Sequence, residues 1–171
     1  MILSEILPAP QSVDWNGDGI NDARDEWIEV VNLDEGAIDI SGWVLDTNGP
    51  ENYVIPIGTI LQPRQYAVFY GGQTGLTLGD DAGQVRLKDA QGRMIDRVQY
   101  DAVSPDGSYS RDEAGGWHAD WPPSPGAPNG QLGNIIAQAK QLPTETPEAA
   151  LRVTLEQLMT AIWNLIDSIF R

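Results

Sequence analysis

Glu26-Trp27-Ile28-Glu29-Val30-Val31-Asn32 decides the fold class. Its middle is β-branched and aromatic, and it is too short for a helix of ordinary length, so it predicts a strand. Runs of the same kind recur on both sides. Residues 2–6 alternate weakly and stop before Pro8. Further on come 43–46, 53–55, 59–61, 65–70, 84–88, 94–100 and 108–111. Gly, Pro, Asn or Asp separates nearly every pair. Asp89-Ala90-Gln91-Gly92 lies between two such runs and predicts a hairpin loop. Many short strands at this spacing make a sandwich or barrel, an all-β domain.

The 171 residues suffice for one such domain plus an appendage. A hydrophobic share of 41% suits a packed core, and the 18 glycines and 12 prolines suit a chain full of turns. The net charge of −15 opposes nucleic-acid binding, which depends on Lys and Arg neutralising phosphates. The absence of cysteine excludes disulfides, thiolate zinc sites and thiol nucleophiles. Met1 leads straight into Ile2-Leu3-Ser4-Glu5-Ile6, a strand-like run with no basic leader, so either the protein is cytoplasmic or a signal has been removed. No apolar run reaches the ~20 residues that span a bilayer.

The domain is expected to occupy residues 1–130. Four prolines between Trp121 and Gly130 remove backbone donors and mark its exit. A polar linker, 131–146, follows. Residues 147–171 then change character: Leu151, Leu155, Leu158, Ile162, Leu165 and Ile169 are spaced 4, 3, 4, 3 and 4, the seam of an amphipathic helix. Trp163, Ile166 and Phe170, with Met159, widen the stripe. Thr146 is the expected N-cap, with Pro147 and Glu148 in the first turn. An apolar stripe this large needs to be buried. The expected contact is a protein partner or a second copy, and folding back over the chain's own sandwich is the alternative. Membrane-surface attachment ranks lower, because Glu148, Glu156 and Asp167 outnumber Arg152 and Arg171.

Residues 14–26 are the most chemically specific stretch. Asp14, Asn16 and Asp18 alternate, Gly19 permits a sharp turn, Ile20 offers a carbonyl, and acids recur at Asp22 and Asp25. Calcium takes 6–8 oxygen ligands, and this D-x-N-x-D-G pattern supplies them. Asp22 binds directly or through water, and Asp25 or Glu26 closes the shell. The twelfth position is Asp rather than the bidentate Glu of the EF-hand, and no flanking helices are expected. A metal-free polar turn is the competing reading.

Over residues 2–129 the chain resembles a bacterial lamin tail domain. The motifs occur in order: Ser4-Glu5-Ile6; Asp25-Glu26-Trp27-Ile28-Glu29-Val30 followed by Asn32; Ile40-Ser41-Gly42-Trp43-Val44-Leu45; Leu61-Gln62-Pro63-Arg64-Gln65-Tyr66, with arginine where glycine is usual; Val85 to Asp96 with Tyr100; Gly107 to Arg111; and Ser124-Pro125-Gly126-Ala127-Pro128-Asn129. The resemblance implies an immunoglobulin-like β-sandwich, to which the C-terminal helix is appended. It also implies an extracellular or cell-surface adaptor or binding role, a location that the sequence alone leaves open.

The remaining chemistry-bearing residues have plain expected roles. Trp27 and Trp43, inside strand motifs, are core residues. Trp15, Trp117 and Trp121 are loop residues available to a carbohydrate or other polymer. His118 has no nucleophile signature and is expected to cap or face solvent. Glu5 and Glu29 are expected to face outward from their strands. Arg111 is expected to pair with a carboxylate. No catalytic set emerges, so the expected function is a non-catalytic, calcium-binding adaptor anchored by its C-terminal helix. An extracellular carbohydrate- or polymer-binding module is the alternative.

Overall fold

The computed structural model describes residues 1–130 and Met159. The linker (131–146) and helix (147–171), with the partner-binding set Leu151, Leu155, Leu158, Ile162, Trp163, Leu165, Ile166, Ile169 and Phe170, lie outside the described residues.

The described strands are β1 (Ile2–Leu7), β2 (Trp27–Val31), β3 (Ile38–Asp39), β4 (Val44–Asp46), β5 (Asn52–Val54), β6 (Ile60–Leu61), β7 (Tyr66–Tyr70), β8 (Ala82–Lys88), β9 (Met94–Asp101), β10 (Tyr109–Arg111) and β11 (Trp117–His118). A 3-10 turn at Ala23–Asp25 and a single helical turn at Gly71–Thr74 complete the elements. Five strands form one sheet in the order β11-β10-β1-β2-β7, four form a second in the order β5-β4-β8-β9, and β3 pairs with β6. Every strand pairing is antiparallel.

Period-two alternation builds the core. Ile6, Ile28, Val30 and Phe69 of the five-stranded sheet meet Leu45, Val85, Leu87, Val98 and Tyr100 of the four-stranded one. Burying each large side chain contributes about 1.5–3 kcal/mol. This all-β arrangement agrees with an immunoglobulin-like sandwich. Short elements at Ile38–Asp39, Trp117–His118 and Gly71–Thr74 were not expected, because two to four residues carry no readable period.

Strand β2 departs from simple alternation, since all five of its residues are buried. Ile28 and Val30 face the core. Trp27, Glu29 and Val31 face the other way and are covered too. The cover includes residues 121–130, expected only as an exit. Their prolines keep them out of any ladder, yet they cross the outside of the five-stranded sheet as a strap. Glu5 and Glu29, opposed across β1 and β2, therefore do not face solvent: both are 0% exposed. Trp27 is buried as expected, but on this outer face; Trp43 is partly buried against the core.

Arg64 has φ 62°, left-handed backbone that favours glycine. The turn is fixed by the Arg64 N–H donating to the Asn32 carbonyl at 2.8 Å and the Asn32 N–H donating to the Gln65 carbonyl at 3.0 Å. Arg64→Gly is expected to stabilise the fold by about 1 kcal/mol in urea denaturation. A loss of stability would show that the arginine side chain makes compensating contacts.

Candidate metal loop

The loop between β1 and β2 folds around Asp14. Its Oδ1 accepts from the N–H groups of Gly17 (2.7 Å) and Asp18 (3.1 Å), and its Oδ2 from Gly19 (2.8 Å). Gly17 and Gly19 have φ 76° and 86°, so the turn requires residues that tolerate left-handed backbone. Asn16 accepts from the Asp18 N–H at 2.8 Å, and Asp18 from the Ile20 N–H at 2.9 Å. Ile20 itself is 53% exposed.

Asp25 closes the ring. It is 0% exposed and accepts from the N–H groups of Asn16 (2.9 Å) and Asp22 (3.0 Å). Asp22 caps the Ala23–Asp25 turn by accepting from the Arg24 N–H at 2.8 Å. The Arg24 guanidinium lies 2.9 Å from Asp22 and 3.3 Å from Asp18. Its hydrogen bonds hold the Asp22 carboxyl below the usual range. Sequence reasoning missed Arg24 as a resident positive charge in this loop. The signal was its placement two residues after one acid and one before another.

Glu26 is drawn elsewhere. Its Oε2 accepts from the Leu78 N–H at 2.6 Å, and burial, with the Asp80 charge nearby, pushes its carboxyl up to about 7. Of the two residues offered as the closing ligand, the fold brings Asp25 to the ring and turns Glu26 toward the 78–80 segment. Among the described residues, no group of three His, Cys, Asp or Glu side chains is gathered to hold a metal ion. The loop acids are bonded instead to backbone N–H groups and to Arg24. Asp14, Asn16, Asp18 and the Ile20 carbonyl thus occupy the alternating positions of a calcium loop, without converging side chains.

A second carboxylate system lies under the strap. Glu5 Oε1 accepts from Ser108 Oγ (2.5 Å) and Ser110 Oγ (2.7 Å), and Oε2 from Ser124 Oγ (3.1 Å). The Ser124 N–H donates to both oxygens at 3.2 Å. Gly126 N–H donates to Glu29 Oε2 at 2.5 Å. Asn129 Nδ2 donates to the carbonyls of Ser4 (2.9 Å) and Arg111 (2.8 Å). Burial raises the Glu5 carboxyl above its usual range, against the lowering effect of its serine donors. Asp106 likewise clamps residues 11–13 by accepting from Gln11, Ser12 and Val13 N–H groups.

His118 bonds Asp112 at 2.8 Å and stacks on Trp121 at 4.1 Å; Trp117 stacks on Tyr109 at 5.3 Å. Each of these two tryptophans thus commits one ring face internally. Arg111 pairs with Asp96 at 2.6 Å.

The family model of the lamin tail domain matches residues 1–102. The chain belongs to the lamin tail domain family. The match covers more than half of the chain and runs from β1 to the end of β9. The lamin tail domain here is completed beyond the match, since Ser108, Ser110 of β10 and the strap supply the hydroxyl and N–H donors that hold Glu5 and Glu29. No curated protein matches this chain.

Proposed function

We propose that this lamin tail domain is a non-catalytic, calcium-stabilised adaptor whose C-terminal segment makes the assembly contact, in an extracellular or cell-surface setting. The observation that carries the proposal is the closed ring of residues 14–25. Asp14 organises three backbone N–H groups, Gly19 makes the sharp turn, and Asp25 reaches back to Asn16 and Asp22. Asp14, Asn16, Asp18, the Ile20 carbonyl, Asp22 and Asp25 would hold the ion, with oxygen donors of the kind calcium prefers. The ion would supply charge neutralisation and rigidity at the sheet entrance, in competition with Arg24.

The assembly half of the proposal rests on the sequence of residues 147–171. Light scattering of the full chain at rising concentration tests it. The parent is expected to form multimers that Leu158→Asp abolishes. Unchanged mass in both, together with no loss of partner capture in the variant, would remove the segment from the account. Calcium titration against Asp14→Ala tests the loop.

A carbohydrate- or polymer-binding role is the second reading. It is favoured by a cavity of about 290 Å³ whose lining, including Thr47, Asn48, Thr77, Gln84 and Tyr100, carries no charge in a strongly acidic chain. Neutral hydroxylated ligands suit such a lining. Calorimetric binding of neutral oligosaccharides, lost in Gln84→Leu, would favour it.

A further inference from the structure

The neutral cavity lies where two strands part. β8 pairs with β9 along its whole length, from Ala82 to Lys88, but with β4 only from Arg86 to Lys88. β4 ends at Asp46, and residues 47–49 and 82–84 then both line the cavity. Among the described residues, no backbone hydrogen bond joins these two runs. Backbone N–H and C=O groups facing such a gap lack a strand partner and are a template for another amide.

Two buried hydroxyls meet this gap. Tyr100 is 4% exposed and Thr47 3%, and both line the cavity. The Tyr100 oxygen accepts from the Gly79 N–H at 2.9 Å, and Thr47 Oγ1 from the Gly49 N–H at 3.2 Å. Neither O–H has a protein acceptor among the described residues. Glycines make room for the phenol. A Cβ at Gly83 would stand 2.3 Å from the Tyr100 hydroxyl, and one at Gly79 would stand 2.4 Å from the Ala82 carbonyl oxygen. Burial pushes the phenol up to about 12, so it stays a donor at ordinary pH.

These groups select a ligand chemistry. Two uncommitted O–H groups call for acceptors, which an ammonium lacks. Anions are repelled: the lining is uncharged, and Asp80 and Asp81 stand between its 77–79 and 82–84 runs. Arg86, which donates to the Thr47 carbonyl, is neutralised by Asp46. A neutral ligand remains. Leu78, 7% exposed, and Ala82 add apolar surface. The volume of about 290 Å³ lies at the bottom of the ~300–1,000 Å³ range of ligand pockets, so it suits one group or ring rather than a chain. An acetamido group offers a carbonyl acceptor, an N–H donor for the open backbone, and a methyl. Asn48 and Gln84 carry amides that suit ring hydroxyls. We infer that the cavity holds the acetamido group of a neutral sugar, its polar atoms meeting the Tyr100 and Thr47 hydroxyls and its methyl resting against Leu78 and Ala82. The inference rests on the carbohydrate-binding reading and names the group recognised.

Calorimetry of the full chain with an N-acetylglucosamine trimer, beside the glucose trimer of the same linkage, tests it. The acetamido sugar is expected to bind about tenfold more tightly. Thr47→Val and Tyr100→Phe are each expected to remove that preference, with thermal melts showing that each variant folds. Thr47→Val keeps the side-chain shape and serves alone if Tyr100→Phe does not fold. Equal binding of the two sugars, lost in Gln84→Leu, would overturn the acetamido assignment and leave the carbohydrate reading standing. No binding of either at millimolar concentration would overturn both. Binding of N-acetylglycine methylamide without either sugar would assign the amide to a peptide and overturn the sugar. A preference that survives in the folded variants would place the sugar elsewhere on the chain and overturn this site.

Discussion

Glu5→Ala is expected to cost the fold about 3–5 kcal/mol, from buried donors left without an acceptor together with the void the side chain leaves. The change removes the common acceptor of Ser108, Ser110 and Ser124, leaves their donors buried without it, and opens a void at a 0% exposed position. It also releases the strap from β1. Glu5→Gln keeps the shape but turns an amide N–H₂ toward groups that donate, so a smaller loss of about 1–3 kcal/mol is expected. Urea denaturation measures both. A loss below about 1 kcal/mol for Glu5→Ala would mean that water replaces the carboxylate and that the strap is held by other contacts.

Glu26→Gln is expected to stabilise the protein at pH 8 by about 2–3 kcal/mol, from the linkage of a raised carboxyl pKa to folding. The folded-state value of about 7 lies above the ordinary 4.5. The parent's Glu26 therefore contributes stability that is fully present below pH 4.5 and is lost as pH rises through 7. Glutamine stays neutral and can still accept from the Leu78 N–H. The advantage of the variant should thus vanish below about pH 5. Glu5 is raised too and acts in the same direction. Asp22, Asp39, Asp89, Asp106 and Asp112 are lowered, so their contribution is present above the ordinary value of 3.8 and lost as pH falls below it. Stability should accordingly peak in mildly acid solution. Thermal melts across pH 4–8 check this, and a variant advantage that does not change with pH would contradict it.

The strands were legible in the sequence because long apolar and alternating runs sat between Gly, Pro, Asn and Asp. The hairpin at Asp89–Gly92 and the β2 strand followed from that pattern alone. The strap was not legible. Proline content correctly excluded residues 121–130 from a ladder, but nothing local shows that Ser124 and Gly126 present N–H groups to Glu5 and Glu29. Alternation placed those two glutamates away from the core; only the chain passing over them makes that side an interior. In the loop, Asp25 and Glu26 are adjacent and chemically alike. Their roles separate because β2 begins at Trp27, leaving Asp25 in the 3-10 turn facing the ring and Glu26 bonded to Leu78. Arg64 was visible as an arginine in a glycine position, and its left-handed backbone gives the physical reason.

The most direct test of the central claim is a calcium titration of the full chain, followed by calorimetry and by the thermal midpoint, beside Asp14→Ala. The account predicts saturable binding of one ion and stabilisation of about 2.7 kcal/mol at a hundredfold excess over Kd, both lost in the variant and reversed by chelator. No heat and no shift at millimolar calcium would contradict it and leave residues 14–25 as a polar turn held by Arg24 and backbone hydrogen bonds.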